Sequence, residues 1–304
     1  MTVRGGGTGP VPAPGKGPPG GRDRMLHAAL ARAVVRAGQP GGIRFTERQL
    51  YYALCRVLHP LHRAPRRLPF TLAPPVAYSR FRAALDAYGP GPHGPADRLP
   101  GLLAPEPVVR HPAGRHTPEA DLFDYGLPRL LVCQSDAVAH MLRANALPME
   151  SACPVHGAGE LPLDPAVLRM LGLAGRATVY LLHDASPAGL AFAARFTAAT
   201  PLPSGVRTVA LGLRPRQAAA LHLTHGRPEH RPGAYRIPPG AAPALTRREH
   251  AWLCGGRFAE VEAVPPAVLL RTVHRMVRGI RAPRPARRRL RGVRETGFLS
   301  RPAE

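Results

Sequence analysis

Cysteine is scarce and scattered. Cys55, Cys133, Cys153 and Cys254 stand far apart in 304 residues with no C-x-x-C pair, which argues against a zinc cluster or a disulfide framework and for reduced thiols. Lysine is almost absent, Lys16 being the only one, and acidic residues number 19 against 42 lysines and arginines, leaving a formal charge of +23. That balance fits a polyanionic partner, most simply nucleic acid, because clustered arginine releases counterions from phosphates. The abundance of Ala, Gly, Pro and Arg also matches a GC-rich coding bias, under which part of the charge is merely a basic surface. No apolar run approaches the roughly 18 residues of a membrane span, and the N-terminus carries no apolar segment of signal-peptide type. The expectation is a cytoplasmic protein, nucleoid-associated if it binds DNA, with no membrane partner.

The length suits two ordinary domains with tails. Residues 1–24 are rich in Gly and Pro and read as a disordered tail. Residues 25–118 read as a small basic domain: a helix from Met25 to Ala37 ending at Gly38, a second after Phe45, and a third from Tyr78 to Tyr88. A Pro/Gly-rich stretch with the apolar pair Val108-Val109 follows, compatible with a wing or a linker. From Arg129 short apolar runs alternate with helices: Leu130–Cys133 then Asp136–Asn145, Thr178–Leu182 then Pro187–Thr197, and Val206–Leu211. This predicts an α/β domain with a parallel sheet over 119–280. Thr246-x-x-Glu249 is a capping box for a short helix, and Pro265-Pro266 opens a longer one to about Arg278. Residues 281–304 hold eight arginines and two glutamates, a basic tail that reads as a solvated run or as a non-specific phosphate binder through Arg287, Arg288 and Arg289.

Two places carry candidate chemistry. Phe45-Thr46-Glu47-Arg48-Gln49-Leu50 is a complete helix start, with Thr46 and Gln49 as capping box and Phe45 and Leu50 as hydrophobic staple. In that register Leu50, Ala53, Leu54, Val57 and Leu58 form the apolar stripe. Tyr52 points away from it, while Tyr51 lies at its border and packs. Arg48 and Arg56 sit four residues to either side of Tyr52, a pattern that would stabilise a phenolate and hold a phosphate, as a tyrosine nucleophile requires. It equally describes an exposed tyrosine on a basic helix that touches DNA, with Arg44 just before it. The second place is Thr178-Val-Tyr-Leu-Leu-His-Asp184-Ala-Ser186-Pro187, a buried strand ending in an acid at a helix start, where α/β folds place metal and phosphate chemistry. Ser186 fits the N-cap and Pro187 the first helical position, so a plain capping role is also open.

Lesser candidates are His183, expected to face away from Asp184 as an ordinary buried histidine, and the group His222, His225 and His230, which has only Glu229 beside it. Gly157-Ala-Gly159 is a glycine loop outside the strand-to-helix context of a nucleotide fingerprint.

Taken together these motifs resemble the A subunit of type IIB DNA topoisomerases (topoisomerase VI) and the related meiotic double-strand-break transesterase. Arg48-Gln-Leu-Tyr51-Tyr52 is similar to that family's Arg-x-Ile-Tyr-Tyr motif, which implies Tyr52 as nucleophile and Arg48 as its neighbour. Leu130-Leu-Val-Cys-Gln134 resembles the first Toprim motif and Asp184-Ala-Ser186-Pro-Ala-Gly189 the second. Leu211-Gly-Leu-Arg-Pro215 and Arg257-Phe-Ala-Glu260-Val-Glu-Ala263 resemble two further segments, in family order over roughly residues 25–278. The resemblance implies a winged-helix-like helical domain followed by a Toprim-like parallel-sheet domain, a DNA partner, a homodimer and a separate B-type ATPase subunit.

The departures fall on the implied Mg²⁺ site, which would draw on Gln134, Asp184 and Ser186 where the family has three carboxylates. An amide, a hydroxyl and one carboxylate bind Mg²⁺ weakly; Asp136 assists only if the local register differs. The expected function is therefore a DNA-binding protein of this type with weak or absent cleavage by tyrosine transesterification. A non-catalytic DNA-binding or scaffold protein and a Toprim-type nuclease are the other readings.

Overall fold

The computed structural model describes residues 21–65, 68–87, 99–105, 125–226 and 245–279. The Val108-Val109 run, most of the stretch read as a wing, His230 with Glu229, and Arg287, Arg288 and Arg289 lie outside the described residues.

Helix α1 spans Gly21–Ala37, so it begins within the segment read as a tail ending at residue 24. Helix α2 spans Glu47–Leu58, held by the expected reciprocal cap: Thr46 Oγ1 accepts from the Gln49 N–H (3.1 Å) and Gln49 Oε1 from the Thr46 N–H (3.0 Å). Of the expected stripe, Leu50, Ala53 and Leu54 are buried, Val57 is half-buried and Leu58 is exposed, while Tyr51, Tyr52 and Cys55 are buried as well. α2 is thus enclosed on nearly all sides of its first two turns, packing on α1 and on a 3₁₀ turn at Val261–Ala263. Helix α3 follows at Tyr78–Asp86.

Strands β1 (Arg129–Cys133), β2 (Val155–Gly157), β3 (Thr178–Leu182) and β4 (Arg207–Gly212) form one parallel sheet in the order β2-β1-β3-β4. Their connections are helical: α4 (Asp136–Ala144) and α5 (Leu147–Ser151) after β1, α6 (Pro165–Leu173) after β2, and α7 (Pro187–Leu190) and α8 (Phe192–Ala199) after β3. Helices α9 (Pro215–Ala220), α10 (Arg247–Cys254) and α11 (Pro266–Val277) complete the described fold. The α/β class with a parallel sheet is as expected. The single helix expected from Pro187 to Thr197 is divided by a turn at Ala191, and β2 and α6 add to the expected elements.

Strand alternation splits the core. Leu131 and Cys133 face a cluster that also contains the buried residues of α1, α2, α3 and α11, whereas Leu130, Val132, Val179 and Leu181 face a second cluster with Leu171 of α6 and Phe192 and Phe196 of α8. One hydrophobic core therefore runs without interruption from the N-terminal helices to one face of the sheet.

The strand order fixes where a site can lie. From β1 the chain moves outward to β2 on one side, and from β3 outward to β4 on the other. The topological switch point, where open α/β sheets form a crevice at the strand carboxyl ends, is between β1 and β3.

Candidate functional site

Gln134 directly follows β1 and Asp184 lies two residues beyond β3, so the two meet at the switch point. The Asp184 N–H donates to Gln134 Oε1 (3.0 Å), and the Gln134 N–H donates to the Leu182 carbonyl (2.8 Å). Asp184 Oδ1 accepts from the Val261 N–H at 2.7 Å. Ser186 is the N-cap of α7, its hydroxyl accepting from the Gly189 N–H at 2.9 Å. Asp136 is engaged elsewhere, its Oδ1 accepting from the Gly159 N–H at 2.8 Å.

A strap of chain crosses this edge. Phe258 and Ala259 form antiparallel bridges with Gly226 and Ala185, and the 3₁₀ turn at Val261–Ala263 then lies along α2. Arg48, Tyr52 and Arg56, spaced by four, form one stripe of α2, and the strap meets each of them. Glu260 Oε2 accepts from the Tyr52 hydroxyl (2.9 Å) while its Oε1 pairs with Arg48 (3.2 Å). Arg56 donates to the Ala263 carbonyl (2.7 Å), and the hydroxyl of Thr46 at the N-cap donates to Glu262 Oε1 (2.9 Å). The stripe is real, but its partner is internal. This corrects the expectation that Tyr52 is exposed between two guanidinium groups: Tyr52 is buried, Arg56 is turned to a backbone carbonyl, and a carboxylate takes the place foreseen for a phosphate. The cause is the strap, which covers the polar face of the helix.

The electrostatics follow from this enclosure. Burial, then the charge and hydrogen bond of Glu260, push the Tyr52 phenol well above its ordinary value, with Arg48 opposing. A phenol held neutral in this way is a poor nucleophile. Burial also raises Asp184 to about 6, helped by the charge of Glu260 and opposed by the Val261 N–H. Glu262 is raised to about 7, again first by burial, against the bond from Thr46 and with the charges of Glu260 and Asp184. Half-buried Arg56 is lowered to about 10, chiefly by desolvation. Arg48 also lies over the Tyr78 ring, 4.6 Å from its centroid.

The donor set does not fit a resident Mg²⁺. Gln134 offers a neutral amide oxygen already bonded to a backbone N–H, Ser186 a capping hydroxyl, and Asp184 the one carboxylate, with an oxygen committed to Val261. A hard, reluctantly dehydrated cation needs more negative charge than this. Among the described residues no three His, Cys, Asp or Glu side chains are grouped so as to hold a metal ion.

The remaining candidates are dispersed. The Arg44 side chain is exposed, its backbone clamped by Asn145, which accepts from the Arg44 N–H and donates to its carbonyl, both at 2.9 Å. His183 is buried, with Nδ1 2.9 Å from the Asp184 carbonyl oxygen. His222 stacks on Phe70 (4.1 Å between centroids) with Nε2 2.8 Å from the Leu68 carbonyl oxygen. Glu260 and Glu262, which tie the strap to α2, stand out in the sequence only as part of the segment Arg257–Ala263. Their spacing of two, with Tyr52 and Thr46 as distant partners, was the available signal. No family model, curated protein or solved structure matches the chain.

Proposed function

We propose that the chain is a DNA-binding protein of the topoisomerase VI A-subunit type, with winged-helix-like and Toprim-like parts, whose metal positions have been turned to structural use and whose cleavage is weak or absent. The observation that carries this reading is the meeting of Gln134 and Asp184 across β1 and β3 at the switch point, with the strap joining them to Tyr52. Residues drawn from three separate motifs of the resemblance thus converge on one place. Their bonding supports the second half of the reading: each of the three metal-position side chains accepts a backbone N–H. The net charge of +23 supplies the affinity for DNA. Partnership with a separate ATPase subunit and homodimer formation belong to the same proposal.

The buried, hydrogen-bonded Tyr52 favours a second reading, a non-catalytic DNA-binding scaffold. Fluorescence anisotropy of a labelled duplex with purified protein tests what both readings share. Binding that weakens steeply between about 50 and 200 mM salt is expected; absence of binding across that range overturns both.

A further inference from the structure

We infer that the outer face of α11 is a binding surface for the phosphate backbone of duplex DNA; this rests on the DNA-binding reading above. The helix is sharply two-sided. Leu269, Val273 and Val277 are buried, while Arg271, Arg275 and Arg278 are exposed. At about 100° per residue the three arginines share a stripe centred roughly opposite the buried one, spread over about 10 Å of helix axis at 1.5 Å per residue. The segment Pro266–Val277 contains no acidic residue.

A minority of the described arginines are neutralised by a carboxylate, and those of α11 are not among them. Arg48, Arg80, Arg82, Arg143 and Arg214 each pair with a carboxylate. No carboxylate among the described residues pairs with Arg271, Arg275 or Arg278; the first two make only a bond to a carbonyl one turn back on their own helix (3.1 and 3.3 Å). Complementing the helix dipole accounts for cations in the last turn but not for Arg271 in the middle. The stripe also leads directly into the sequence from Arg281, with its eight arginines. Unpaired guanidinium groups in a row suit phosphate oxygens, which they bind bidentately and without sequence preference.

An anionic lipid surface offers similar charge, but a membrane-lying helix must present its apolar face to lipid, and that of α11 is buried in the core. The switch point is a poorer phosphate site, since Asp184, Glu260 and Glu262 gather there.

The test compares full-length wild type with the triple variant R271Q/R275Q/R278Q, using the salt dependence of binding to a short labelled duplex. Each phosphate contact contributes about 0.9 to the slope of log K against log salt, so the triple variant should lose about 2 to 3 units of slope. The corresponding triple Arg→Lys variant should retain it, and exposed positions predict an unchanged melting temperature in both. Wild type that binds with the triple variant matching its slope overturns this inference alone, whereas wild type that fails to bind DNA overturns the function on which it rests. Loss of binding to phosphatidylserine vesicles with the DNA slope unchanged would also overturn it, in favour of a lipid partner.

Discussion

Glu260 does more than any other single residue to define the candidate site, since one carboxylate answers both a phenol and a guanidinium. Replacing it by alanine leaves the buried Tyr52 hydroxyl without its acceptor, and Glu260→Ala is expected to lower stability by about 1–3 kcal/mol, measured by urea unfolding. Glu262 gives a prediction in pH. Folded Glu262 releases its proton near 7, whereas the unfolded chain does so at the ordinary glutamate value. Between those pH values the folded state holds more protons, and stability must fall as pH rises through the window. Asp184, raised to about 6, acts in the same direction. Thermal melts at pH 5 and pH 8 should show Glu262→Gln less sensitive to the change than wild type; equal sensitivity would show that Glu262 is not the titrating group.

At the level of elements, the strand-end turn is packed too tightly for added bulk. A Cβ on Gly189 would overlap the Asp184 carbonyl oxygen and come within 2.9 Å of its carbon and 3.0 Å of its nitrogen. Because that obstacle is backbone, Gly189→Ala should cost about 1–3 kcal/mol by overpacking, read as a lowered melting temperature. Thr46→Ala removes both the cap of α2 and the bond to Glu262, for which a loss of about 1–2 kcal/mol is expected. The capped helices were legible because their signals are local: Thr46 with Gln49, Thr246 with Glu249, and Pro266 each marked a boundary that the structure bears out. β2 was not legible, since three residues carry no periodicity. α6 carries a local mark in Asp164 and Pro165, its N-cap and first residue, but its nine residues are too few to show a clear helical period. The spacing of Arg48, Tyr52 and Arg56 correctly gave one stripe of α2. It could not show what covers that stripe, because the partner, Glu260, is 208 residues away from Tyr52.

The whole molecule combines a strong positive excess with three carboxylates, Asp184, Glu260 and Glu262, gathered at the switch point. Charge of this kind acts at long range and without sequence preference, so the proposed binding of DNA does not depend on α2 being uncovered. Chemistry does depend on it. Tyr52 can reach a phosphodiester only if the strap leaves α2, and no step of cleavage follows from Gln134, Asp184 and Ser186 while each serves a backbone N–H. The proposed binding and cleavage are thereby separable, and no helix among the described residues is long and apolar enough to cross a membrane. The most direct measurement is detergent trapping of covalent protein–DNA adducts on supercoiled DNA with Mg²⁺ or Mn²⁺, for wild type and Tyr52→Phe side by side under conditions where both bind. The account predicts bound DNA with little or no adduct in either protein. A substantial adduct in wild type that disappears in Tyr52→Phe would contradict it.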